Sequence, residues 1–383
     1  MGNMGNMGKI SKAKETMTSK ERVRRVIRRE KPDRVPINYS SNPIIQGRLM
    51  EHLGLAPNDY AGLSSMLGVD FRGMGAPYTG PVLHTSSRDD RRVDPMYGIV
   101  CKWIENEAGG YWDYCDFPLE FATAEEVAAW PMPNPDHFNY DSLEAQIDAT
   151  EGYAVHLGGA GTACVINTAG FFRTMEQTFV DLITDDEAGL LLIDRFIGQH
   201  LAVLERSLAH IEKIAKRRGK KVDEIVDFVW MGEDLGTQHT PLISMEIFLK
   251  HILSRQKPFF ELCKHYGLPT LLHTCGSSSW SYEEYIKAGL TGVDTLQPEA
   301  RNMDPEYLKE HFGGRLFFHG CISTGGPLAF GSAEDTVKDC TQILETMMPN
   351  YEYCFSPSHA IQDNTPVENI VAAYNTAHSV GVY

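Results

Sequence analysis

Positive charge is scarce in this chain: 35 Lys+Arg stand against 51 Asp+Glu, a formal net charge of −16 over 383 residues. A partner held through its phosphates needs a surplus of cations, so neither a nucleic acid nor an anionic membrane surface is expected. Long hydrophobic runs are missing as well, since no segment approaches the roughly 18 to 20 apolar residues of a membrane span. The opening MGNMGNMGKISKAKETMTSK has no apolar core of a secretory signal. Asn6 stands where a myristoylation signal would carry Ser or Thr. The eight cysteines follow no disulfide-framework spacing, so reduced thiols in a cytoplasmic protein are expected. Gly158-Gly159-Ala160-Gly161 lacks the GxGxxG spacing of a dinucleotide site and reads equally as a tight turn or as a close backbone approach to a planar cofactor. Neither a P-loop nor a Ser-His-Asp arrangement is visible.

What the chain does have is an alternation of apolar runs and capped helices, clearest in its second half. The runs are VDFVWMGEDLG, LPTLLHTCG, GVDTLQPEA, GRLFFHGCIS and NYEYCFSPSH. Helix starts fall between them: Ser281 to Glu284 and Thr365-Pro366-Val367-Glu368 have capping-box spacing, Asp304-Pro305 places proline at the first helical position, and Ser332 to Asp335 opens another helix. Strands alternating with helices at this spacing predict an α/β fold with a parallel sheet. A (β/α)8 TIM-type barrel is expected, with a doubly wound open sheet as the alternative. Residues 1–16 read as a flexible tail and 17–383 as one domain. Thr18 caps the basic helix ERVRRVIRRE, whose arginines read as a solvated face, and PDRVPINY reads as a strand. Residues 76–140, rich in Pro, Gly and aromatics, read as an irregular cover of hairpins and loops. A helical block is expected from about 171 to 217.

The chemistry-bearing residues collect at the ends of the apolar runs. His273 and Cys275 end LPTLLHTCG, and side chains at i and i+2 of a strand share a face. Imidazole and thiolate are zinc ligand types, and a catalytic zinc takes about three protein ligands and leaves one position open. A histidine and a cysteine at a strand end are also ordinary packing residues. Glu233 and Asp234, Gln297 and Glu299, His319 and Cys321, and His359 end the other runs. A barrel gathers its strand ends around one mouth, where its active sites lie.

Taken together, SKERVRRVIRREKPDRVPINY, LGVDFRGMGAPYTG, MGEDLGTQ, LLHTCGSS, GVDTLQPE and FSPSHAIQDNTPVENI resemble the uroporphyrinogen decarboxylase superfamily. Within it the resemblance is to the zinc- and corrinoid-dependent methyltransferases, and it runs from about residue 17 to the C-terminus. It implies zinc held by the His-x-Cys pair, His273 and Cys275, plus a third ligand in the segment Ser356-Pro357-Ser358-His359. There a histidine replaces the cysteine of thiol-methylating members. His359 is therefore the expected third ligand, with Cys354 and Cys321 as alternative thiolates. Glu233 is expected as a catalytic base or carboxylate ligand, a cap or ion pair being the other reading of Glu233-Asp234. Asp70 falls where the decarboxylases keep a pyrrole-binding aspartate and is the second candidate catalytic residue; loop bracing is its alternative.

Two imidazoles and one thiolate leave a zinc ion formally +1, a stronger Lewis acid than two thiolates would leave. The expected enzyme moves a methyl group between a small methylated substrate, an aryl methyl ether in particular, and the cobalt of a corrinoid partner protein. The alternatives are a thiol-methylating methylcobalamin enzyme of the same family and a decarboxylase. Against the last stands INYSSNPIIQGRL, where Arg48 is the one cation available to meet a polycarboxylate.

Overall fold

Seven strands follow one another in sequence order around a single parallel sheet. In the computed structural model, which describes residues 9–107 and 109–383, β1 is Phe71–Met74, β5 Ala154–Gly158 and β6 Phe228–Gly232. The series continues with β7 Thr270–Thr274, β8 Gly292–Thr295, β9 Phe317–Ile322 and β10 Tyr353–Pro357. Strands covered by helices on one side and barrel interior on the other are buried on both faces and read as unbroken apolar runs. That is why the last five were legible. Closure comes from the segment PDRVPINY, which reads as a strand but pairs here only through isolated bridges. Ile37 bridges Phe355 of β10 in parallel, and its carbonyl accepts from Asp70 N–H just before β1. The fold is thus an α/β barrel of TIM type, as the alternation predicted.

The lower, N-terminal end of the barrel is plugged. Val23 and Val26 of the helix Ser19–Ile27 pack with Phe71, Ala154, Phe228, Leu271, Phe317 and Cys354 in one buried cluster. The same helix overturns the solvated-face reading of its arginines. Arg22 is fully buried, with its Nε 2.6 Å from Asp33 and its Nη1 2.6 Å from Asp70. Arg24 pairs with buried Asp227 at 2.5 Å. Opposite charges brought in by distant segments make this burial possible.

At the other end a three-stranded antiparallel sheet is added between β1 and β5: β2 Arg92–Val93, β3 Val100–Ile104 and β4 Tyr111–Tyr114. It falls within the stretch read as a cover. Residues 1–8 of the expected tail lie outside the described residues. From residue 9 on, Thr16 N–H donates to Asp33 and Glu15 pairs with Arg34 at 2.6 Å. Asp304 and Ser332 cap their helices as expected. Ser281 does not, because a 3-10 turn, Ser279–Ser281, runs straight into the helix and leaves Ser281 already helical. The last helix begins at Val367 with Pro366 as its N-cap residue, one position later than the sequence implied.

Candidate metal centre at the barrel mouth

Two strand ends and one loop build the site. His273 is the fourth residue of β7, and Cys275 follows the strand by one residue, so both side chains point inward. Asp234 comes from the loop after neighbouring β6, where Gly232 is in register with His273. A donor atom from each of Asp234, His273 and Cys275 lies within 4.8 Å of the others. Cys275 Sγ is 3.6 Å from His273 Nε2. Bond lengths of about 2.0–2.1 Å for Zn–N and 2.3 Å for Zn–S put tetrahedral N and S ligands about 3.5 Å apart. The pair therefore fits a zinc ion without rearrangement.

The carboxylate of Asp234 is held from two sides. Cys275 N–H donates to its Oδ1 at 2.9 Å, and Asn167 Nδ2 donates to its Oδ2 at 2.7 Å. Beneath the trio, Asp294 of β8 lies between two imidazoles. Its Oδ2 is 2.8 Å from His273 Nδ1 and its Oδ1 is 2.5 Å from His319 Nδ1. The three side chains sit in one register across β7, β8 and β9. Burial alone would push Asp294 up, but the two histidines hold it below the ordinary carboxylate range. Burial opposes a charge on His273, yet Asp294 and Cys275 raise it well above the usual imidazole value. Burial raises the Cys275 thiol; His273 counteracts this and Asp234 adds to it. The metal-free pair thus retains protons that a cation has to displace.

The other sequence-named residues are placed as follows. His359 is exposed in the loop after β10, on the same rim but outside the trio, with its Nδ1 3.2 Å from both Ala360 O and Gln362 Nε2. Glu233 is buried and turned away from His273, accepting from the N–H groups of Val165 (2.6 Å) and Ile166 (3.0 Å) where the helix Ile166–Arg173 begins. Burial outweighs those donors and pushes Glu233 up to about 8. Asp70 lies at the opposite, lower end of the barrel, paired with Arg22 and with Arg34 at 2.7 Å and accepting from Ile37 N–H. Cys321 and Cys354 are fully buried; Cys354 belongs to the plug layer.

Asp294 and Asn38 were not singled out in the sequence, and Asp234 was noted only beside Glu233. The signal for Asp234 was its place at the end of the apolar run before LPTLLHTCG. Asp294 was visible in GVDTLQPEA, but its neighbours follow from strand register, which the sequence does not print.

A TIM-type barrel with a His, Cys, Asp donor set at the C-terminal ends of adjacent strands defines the class. Residues 222–380 match the family model described as Uroporphyrinogen decarboxylase (URO-D). A solved structure of a methyltransferase from Methanosarcina mazei shares the fold, with a TM-score of 0.55 and 16% identity over 94% of this chain and 98% of that one. No curated protein sequence matches the chain. No helix among the described residues is long and apolar enough to cross a membrane.

Proposed function

We propose that this protein is a methyltransferase component that moves a methyl group between a small methylated substrate and the cobalt of a corrinoid protein, using zinc held by His273, Cys275 and Asp234. The trio at the C-terminal end of β6 and β7 carries this reading, and the methyltransferase fold neighbour agrees with it. When bound, the zinc ion supplies a Lewis acid at the oxygen that the methyl group leaves. His273 and Cys275 hold the ion from the barrel wall. Asp234, fixed by Cys275 N–H and Asn167, takes the third position that the sequence assigned to His359. One imidazole, one thiolate and one carboxylate leave zinc formally neutral, so net charge no longer separates donor-side from thiol-side enzymes. Hardness still does: an oxygen in place of a second sulfur favours an oxygen leaving group.

The wall of the mouth points the same way. Asn167 touches Asp234, and Phe171 lies one turn further on the same helix face. Tyr114 of β4 stacks on Phe171 at 4.0 Å between ring centroids and 19° between planes. That stacked pair, one helical turn from Asn167, is an apolar wall of the kind an aryl methyl ether packs against. The decarboxylase reading gains nothing here. Arg48 is spent on the carbonyl of Asp363, and Arg22 and Arg34 are paired at the far end of the barrel.

The test mixes the purified protein with a reduced corrinoid protein and candidate methoxylated aromatics. Methyl-cobalt absorption appearing with an aryl methyl ether, and disappearing with a chelator, is the expected result. Methyl loss from methyl-cobalt on adding a thiol would assign the thiol-side reaction instead, and carbon dioxide release insensitive to chelator would assign a decarboxylase.

A further inference from the structure

We propose that Asn38 and His319 are positioning residues that act through Asp294 to fix which nitrogen of His273 faces the cation site. The inference rests on the metal reading above, and the geometry that carries it begins away from the site.

The backbone N–H of Tyr39 can only donate, and it donates to Asn38 Oδ1 at 2.9 Å. That bond settles the orientation of the Asn38 amide, so the group 3.1 Å from His319 Nε2 is the NH2 donor. His319 Nε2 must then be the bare, accepting nitrogen, and the ring proton of neutral His319 sits on Nδ1. From there it donates to Asp294 Oδ1 at 2.5 Å. With that oxygen engaged as an acceptor, Asp294 Oδ2 is left to accept from His273 Nδ1 at 2.8 Å. An imidazole whose Nδ1 carries the hydrogen presents its Nε2 lone pair, and Nε2 is the atom 3.6 Å from Cys275 Sγ.

A run of five groups thus connects a main-chain amide in the barrel-closing segment to the metal-facing nitrogen. Burying it is costly unless every member is satisfied. The layer below, in the same barrel, is filled by Phe71, Phe228, Leu271 and Phe317, so apolar filling was available. His319 itself is 1% exposed and lies edge-on to Phe71 and Trp230. Packing alone would not require its imidazole to be read by an amide on one side and a carboxylate on the other.

Two measurements on the full chain test this. In metal-free wild-type protein, side-chain nitrogen NMR of labelled histidine should show His319 with its hydrogen on Nδ1. Asn38→Leu should lose that single tautomer. In parallel, zinc affinity is measured by competition with a chromophoric chelator. Asp294→Asn is expected to weaken zinc by roughly 10- to 100-fold, the usual effect of removing a carboxylate behind a ligating histidine. Asn38→Leu is expected to weaken it less, with a wild-type circular dichroism spectrum showing that the barrel is intact. A wild-type His319 protonated on Nε2 overturns the proposal, as does wild-type zinc affinity in both variants. If wild-type protein binds zinc no better than Cys275→Ala, the metal reading falls and takes this inference with it; indifferent variants beside a tight wild type defeat this inference alone.

Discussion

At the scale of single residues, the trio makes a sharp prediction about its third member. On the proposed zinc reading, Cys275→Ala and Asp234→Ala should each abolish zinc binding, whereas His359→Ala should retain about one zinc per chain by elemental analysis. Zinc lost from His359→Ala and kept by Asp234→Ala would restore the sequence-based assignment. The sequence led to His273 and Cys275 because their spacing on a strand is a local property. It did not lead to Asp294, Asn38 or the role of Asp234, whose importance comes from partners 21 to 281 positions away. A carboxylate between two imidazoles is set by strand register, and a one-residue slip would remove it.

At the scale of elements, the alternation of the C-terminal half was readable because each strand is buried on both faces and each crossover brings its own cap. The first half was not. Its eighth barrel position, in PDRVPINY, reads as a strand but is only an isolated bridge at Ile37, and its arginine helix looks exposed when viewed alone. Arg22 is buried only because Asp33 and Asp70 arrive from 11 and 48 residues away. Removing one member of such a buried group leaves a charge without compensation and costs about 3–5 kcal/mol. Arg22→Ala should therefore lower the urea midpoint substantially, while Arg25→Ala, on the solvent side of the same helix, should leave it nearly unchanged. Equal midpoints for the two variants would contradict the plug as described.

At the scale of the whole molecule, buried histidines set an acid limit to stability. Burial holds His156, His200 and His378 down to about 4, from an ordinary value of 6.5. His378 also donates from Nε2 to Leu67 O at 3.0 Å and accepts from Ala13 N–H. A depressed folded value means that the unfolded chain binds more protons between the two values. The contribution is therefore complete above about pH 6.5 and is lost as pH falls towards 4. Urea midpoints measured from pH 7.5 to 3 should fall between about pH 6.5 and 4, and His378→Gln should flatten the slope there. A slope confined below pH 4 would instead assign the loss to carboxylates.

The plug formed by Val23 and Val26 has a kinetic consequence. With the lower end of the barrel stoppered, whatever reaches His273 arrives from the rim and leaves by the same route. On the proposed methyl-transfer reading, small substrate, spent product and corrinoid partner share one doorway, so turnover would proceed as a succession of visits, and whichever visitor lingers would set the pace for the rest.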